Sequence, residues 1–101
     1  MPYLMGTDIG TTGTKTIIAD HKGVVKASSY KEYDVLNPRQ GWAEQWTEVW
    51  VRAVYETIKD CLETSSIEPE EVRGLSVSSL YGGSGIPVDE NFEVIRPCII
   101  W

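Results

Sequence analysis

Gly6-Thr7-Asp8-Ile9-Gly10-Thr11-Thr12-Gly13-Thr14-Lys15 places three glycines, four threonines, one carboxylate and one lysine within ten residues. Tyr3 to Asp8 read as a short buried strand and Lys15 to Asp20 as a second, so the glycine-threonine segment is the bend of a β-hairpin. Backbone N–H groups in such a turn can converge on an anion, and threonine hydroxyls add donors without bulk. Spacing excludes two familiar phosphate motifs. A P-loop needs glycine directly before its lysine, whereas Thr14 separates Gly13 from Lys15. A dinucleotide fingerprint needs a glycine at position 8 and a helix afterwards, whereas Asp8 stands there and β-like residues follow. What survives is a phosphate seated against the hairpin turn. Asp8 then holds magnesium directly or through water, and Lys15 offsets phosphoryl charge. The bland alternative is an ordinary glycine-rich hairpin with Asp8 capping it.

Outward from the hairpin, His21-Lys22-Gly23 is a turn and Val24 to Tyr30 resumes β character, which predicts a three-stranded antiparallel meander. Asn37-Pro38-Arg39-Gln40-Gly41 breaks the pattern. From Trp46 the period becomes helical: Trp46, Val49, Trp50, Ala53, Val54, Ile58, Cys61 and Leu62 share a stripe, with Glu48, Arg52, Glu56, Lys59 and Asp60 opposite. Thr47 is the expected N-cap, and Ser65-Ser66 with Pro69 mark the exit. Val72 to Ser78 read as a fourth strand, Gly82 to Gly85 as a loop, Ile86 to Val88 as a short strand, Asp89 to Asn91 as a turn and Ile99 to Trp101 as a last strand. This order predicts an α/β fold whose mixed sheet opens with an antiparallel β-meander and is packed by a helix.

A chain of 101 residues, 42% of them hydrophobic, suffices for one core. A formal charge of −6 leaves no basic surplus for nucleic acid or an anionic membrane surface. Cys61 and Cys98 lie far apart without metal-type spacing, which argues against a disulfide framework or zinc site and for a reducing, cytoplasmic setting. No run of about 18 apolar residues offers a membrane span. The chain stops on the apolar, strand-like run Pro97-Cys98-Ile99-Ile100-Trp101, as a piece of a longer protein would.

"TDIGTTGTK" (Thr7 to Lys15) resembles the first phosphate motif of the sugar kinase, actin and heat-shock protein superfamily, and specifically its FGGY carbohydrate kinases. "GWAEQWTEVW" (Gly41 to Trp50) is similar to the family segment G-W-x-E-Q-D-P-x-x-W-W, with Trp46 and Thr47 in place of Asp-Pro. "VRGLSVSSLYGGSGIPVDENFEVIRPCIIW" (Val72 to Trp101) is similar to the strand, substrate loop, hairpin and strand that follow it. The resemblance implies an RNase H-like fold, with ATP and sugar bound between two large domains. Residues 1–101 would form the opening part of the N-terminal, sugar-binding domain. It also implies that the general-base aspartate lies beyond Trp101, so that this piece carries no catalytic residue and is inactive alone.

Carried over residue by residue, the resemblance puts Asp8 near the Mg–ATP phosphates, Gly10, Thr11 and Thr12 at the γ-phosphate, and Lys15 at a basic position opening the second strand. On the sugar side it implies Tyr81, Gly82 and Trp101. Tyr81 and Gly82 stand where xylulokinases read Met-His, and the Arg-Glu pair of glycerol kinases is absent, so the sugar stays open. The reading is thus ATP-dependent phosphorylation of a sugar, sugar acid or polyol by the whole protein. Two rivals stand beside it: an actin-like ATPase or activator that does not act on a sugar, and an interaction domain whose last strand pairs with a second copy in a homodimer. Trp50 reads as core, Trp42 as loop packing, Glu44 and Gln45 as loop tethers, His21 as an exposed turn residue, and Glu68, Glu70 and Glu71 as a solvated connection.

Overall fold

A computed structural model describes residues 2–79 and 85–100. The chain runs β1 (Tyr3–Ile9), β2 (Gly13–Asp20), β3 (Val25–Glu32), β4 (Glu44–Gln45), α1 (Thr47–Ser65), a single 3-10 turn (Pro69–Glu71), β5 (Val72–Ser78) and β6 (Cys98–Ile99). The first three strands form the expected meander, and β5 adds to β1 in parallel, giving a mixed four-stranded sheet in the order β3-β2-β1-β5. A parallel neighbour requires a crossover, and α1 supplies it. β4 and β6 pair antiparallel as a separate two-stranded sheet, Glu44 opposite Ile99 and Gln45 opposite Cys98.

Alternation along the strands decides which residues meet α1. Met5 and Thr7 of β1, Thr14, Thr16 and Ile18 of β2 and Ala27 of β3 point to the helix and are buried. Asp8, Lys15 and Ile17 point to the other face by the same alternation. The core is unusual in carrying hydroxyls where aliphatic groups are the rule. Thr57 of α1 donates to the Ala53 carbonyl at 2.7 Å, so its oxygen is left to accept from Thr16, also at 2.7 Å. Thr16 in turn accepts from Thr7 at 2.7 Å. The result is a directed chain of three buried hydroxyls from β1 through β2 into the helix, each with its single proton assigned. The Cys61 thiol, fully buried beside them, donates to the Thr16 carbonyl. A second core of Ala43, Cys98 and Ile100, with Val35 and Trp50 against it, lies under the small sheet.

Several sequence expectations shift. Thr47 is the first helical residue and not the cap: Trp46 is the N-cap, in an extended conformation and without a side-chain cap bond. Trp46 is also 42% exposed, off the apolar stripe to which its spacing assigned it. Residues 86–88 form no strand; Val88 makes an isolated bridge to Val94 across the Asp89 turn. The last strand is Cys98–Ile99, and Ile99 is bridged by both Glu44 and Gly85. It is therefore not the open edge that pairing with a second copy through that strand requires. His21 is exposed in its turn, and Glu68, Glu70 and Glu71 are exposed around the 3-10 turn, as read. Cys61 and Cys98 are both free. No helix among the described residues is long and apolar enough to cross a membrane.

Replacing Thr57 by Val keeps the shape but leaves the Thr16 proton buried without an acceptor. In the whole protein this substitution is expected to lower stability by about 1–3 kcal/mol, read as a lower urea midpoint with an unchanged slope.

Candidate functional site

Asp8 sits at the end of β1, where the parallel register sets Ser78 beside it. The Ser78 hydroxyl donates to Asp8 Oδ1 at 2.8 Å, and the carboxylate is otherwise exposed. Lys15 is the cross-strand partner of Asp8 on β2, exposed on the same face of the sheet, and makes no ion pair among the described residues. Between them in sequence the chain reverses through Gly10, Thr11 and Thr12.

That turn is gripped through its carbonyl oxygens. The Tyr33 hydroxyl donates to the Gly10 carbonyl at 2.5 Å, Gln45 Nε2 to the Thr11 carbonyl at 2.6 Å, and the Tyr33 amide to the Thr12 carbonyl at 3.1 Å. No peptide bond among the described residues is cis, and in a trans unit the N–H points opposite to its own C=O. Fixing the Gly10 and Thr11 carbonyls toward Tyr33 and Gln45 therefore aims the Thr11 and Thr12 amides the other way. Neither amide has an acceptor among the described residues, while the Gly10 amide is used on the Gly13 carbonyl at 2.9 Å. Tyr33 bonds to Thr14 and Gln45 to Trp50, both on the helix side of the sheet. The Thr11 and Thr12 amides are thus turned away from Tyr33 and Gln45, and Asp8 borders the same cleft as Gly10 and Thr11. Two oriented N–H groups near an exposed carboxylate suit an anion with its cation.

A cleft of about 540 Å³ adjoins the turn, lined by Asp8, Gly10, Thr11, Gln45, Trp50 and Ile100 among others, and a smaller one of about 280 Å³ on the far face includes Asp8, Lys15 and Ser78. Asp8 belongs to both. Trp50 is core by its contacts with Ala43, Cys98 and Ile100, yet it also forms cleft wall. Trp42 is half exposed, with the Arg39 guanidinium 5.0 Å from its ring centre, so it packs within its own loop. Glu44 is buried and paired with Arg96, which ties β4 to the segment entering β6. Gln45 does tether a loop. Tyr81, Gly82 and Trp101, the sugar-side expectations, lie outside the described residues.

Glycine is required by space at two positions. A Cβ on Gly10 would lie 2.9 Å from the Gly13 carbonyl, and one on Gly13 would lie 2.7 Å from the Lys31 carbonyl and 2.4 Å from the Tyr30 ring. Sequence reasoning passed over Tyr33 and Ser78. The available signals were a tyrosine just beyond the third strand, opposite the turn in a meander, and a serine ending a strand that must run parallel to β1.

Residues 3–101 match the FGGY family of carbohydrate kinases, N-terminal domain. The chain is 31% identical over 101 residues to a xylulose kinase of Bacillus subtilis (strain 168), covering 100% of this chain and 20% of that protein. It is 37% identical over 100 residues to a glycerol kinase of Ligilactobacillus salivarius (strain UCC118), covering 98% of this chain and 20% of that protein. The ligand-bound xylulose kinase from Lactobacillus acidophilus has the same fold over 100% of this chain and 20% of its own, with a TM-score of 0.89 at 30% identity. The chain thus spans about a fifth of the length of the curated relatives it matches.

Burial raises the Tyr33 phenol above its ordinary pKa of 10.0, with Tyr30 and Asp8 adding to the rise and the Thr14 hydrogen bond opposing it. A phenol held neutral in the fold contributes stability fully below its unfolded pKa and loses it as pH climbs through the raised value. The thermal midpoint of the whole protein is therefore expected to fall more steeply above about pH 10 than that of Tyr33→Phe. Parallel curves would show that the phenol does not hold the turn.

Proposed function

The chain belongs to the FGGY family of carbohydrate kinases, and from that premise we propose that the whole protein transfers the γ-phosphoryl group of ATP to a hydroxyl of a sugar, sugar acid or polyol. The observation that carries the reading is the turn at residues 10–12, whose carbonyls are bound from behind while the Thr11 and Thr12 amides are left without acceptors among the described residues. Residues 1–101 are then the opening segment of the sugar-binding domain, and the general base comes from beyond them.

Magnesium fits the donor set. Ser78 occupies one oxygen of Asp8 and leaves the other for a cation or its water, and no cluster of three carboxylate, histidine or cysteine side chains among the described residues would cage a metal by itself. One carboxylate with water and phosphate oxygens is what magnesium ordinarily accepts. The ion, when bound, neutralises charge on the β- and γ-phosphates. The chain's own part is positional. Ser78 fixes the rotamer of Asp8, the Thr11 and Thr12 amides orient the terminal phosphate, and Lys15 adds a positive charge on the same side. Little covalent work is asked of protein in phosphoryl transfer, so orientation and charge carry the rate.

The sugar would enter the larger cleft beside the turn, where the apolar wall of Trp50 and Ile100 faces the polar floor of Asp8 and Gln45. Tyr81, Gly82 and Trp101 are proposed to complete that side. Xylulose and glycerol are substrates named for relatives of similar identity, and neither is preferred for this chain. The free, buried cysteines suit a reducing, cytoplasmic setting.

The test is turnover of Mg–ATP by the whole protein against pentoses, hexoses, gluconate and polyols, with the phosphorylated product identified. ATP hydrolysis with no phosphorylated product from any acceptor would reverse the reading in favour of a nucleotide-driven ATPase. Given activity, Asp8→Asn is expected to lower kcat/KM on the order of 10²–10³-fold. Gly10→Ala, which forces the turn open, should raise the KM for ATP while the KM for the acceptor stays near wild type.

A further inference from the structure

Gln45 is 1% exposed, and every hydrogen-bonding group of its side chain is engaged. Oε1 accepts from Trp50 Nε1 at 2.9 Å, and Nε2 donates to the Thr11 carbonyl at 2.6 Å and the Asp34 carbonyl at 3.3 Å. The orientation of the amide is set by chemistry: indole nitrogen only donates and carbonyl oxygen only accepts, so the reversed amide would face three mismatches. The backbone of Gln45 belongs to β4, which pairs with β6 and is separate from the four-stranded sheet that bears the turn. One side chain therefore spans from the small sheet to the middle carbonyl of the anion turn, and Trp50 on the first turns of α1 holds it from behind.

We propose that Gln45 is a positioning residue for the terminal phosphate: by pulling the Thr11 carbonyl toward the small sheet it keeps the Thr12 amide aimed at the anion. This rests on the kinase reading for the identity of the anion, though the grip on the turn does not. Asp34 contributes only its carbonyl to the contact, and the charged or titratable groups near it are Asp8, Tyr33 and the Glu44–Arg96 pair.

The diagnostic variant is Gln45→Glu in the whole protein. Glutamate is isosteric and still accepts from Trp50, but as a carboxylate it faces the Thr11 and Asp34 carbonyls with no proton to give. Protonated, it regains one donor. Isothermal titration with magnesium and a non-hydrolysable ATP analogue is expected to give about tenfold weaker binding than wild type at pH 8, with most of the loss recovered by about pH 5.5. Gln45 also borders the cleft assigned to the sugar, so recovery of nucleotide affinity on protonation, and not sugar affinity, is the discriminating readout. Amide hydrogen exchange without ligand at Gly10 and Tyr33, whose N–H groups are bonded to the Gly13 and Thr12 carbonyls, should be faster in the variant at pH 8 and return toward wild type at the lower pH. Wild-type nucleotide affinity in the variant at both pH values would overturn the proposal. Loss of nucleotide affinity with no recovery at the lower pH would also overturn it, since that is the mark of a merely structural residue. If the wild-type protein does not bind the ATP analogue with magnesium at all, the kinase reading fails, and unchanged exchange at Gly10 and Tyr33 would separately sink the grip on the turn.

Discussion

The Gly10, Thr11 and Thr12 carbonyls are each held by a donor from outside the turn, and the anion-binding character of the site follows from that constraint. A peptide unit is a rigid plane, so tying down its oxygen also aims its hydrogen. Free in solution, a glycine-threonine segment samples many orientations, and ordering each residue costs on the order of 1–2 kcal/mol. A ligand that had to impose the order would bind more weakly by that amount. Here the folded protein has already met the cost, through bonds that each contribute about 0.5–1.5 kcal/mol net. On the proposed reading a phosphate would meet donors that are in place, the condition under which electrostatic stabilisation is most effective.

The donors that grip the turn come from separate parts of the fold, and this explains the placing of the polar core. Tyr33 follows β3 and reaches Gly10 because β3 runs beside β2. Gln45 arrives from the small sheet, and its amide is oriented by Trp50 of α1. Any drift of α1 against the sheet would loosen the Gln45 grip. The hydroxyl chain Thr7–Thr16–Thr57 opposes such drift: unlike aliphatic contacts, which tolerate sliding, hydrogen bonds of 2.7 Å set a fixed distance and direction between helix and strands. Specific registration of α1 thus serves a site that lies one strand-end away.

The meander, the helix and the fourth strand were legible because each is written in a repeating pattern, period two for the strands and near 3.6 for α1, whereas the parallel pairing of that fourth strand with β1 is not. Asp8, Gly10, Thr11 and Lys15 stood out because glycine and threonine so close together have few other uses. Tyr33 and Ser78 were not legible, since their roles depend on which strands become neighbours and no local pattern records that. Gln45 lay between: its sequence context marked a loop tether, but its partners are 34 and 5 residues away and only the assembled fold names them. Thr47 was misread because the hydroxyl preference for N-caps is statistical, and here the extended Trp46 leads the chain into the helix directly. Trp46 was placed on the core stripe by spacing alone, although α1 had not yet entered its packed turns at that point.

An acidic chain with a formal charge of −6 is an unexpected host for the proposed polyphosphate. Distance resolves the tension. At physiological ionic strength the screening length is about 8 Å, so charges scattered over the surface barely act on a ligand already in contact. Within that range the turn presents two free amides among the described residues, and Lys15 stands beside Asp8, the carboxylate proposed to draw in a divalent cation. The distant acidic residues are left to raise solubility and to slow encounter slightly, while binding is decided by a few oriented dipoles at contact distance. This division also accounts for the composition of the turn. Bulk at Gly10 or Gly13 would collide with backbone, and a charged side chain in place of Thr11 would shield the amides that do the binding.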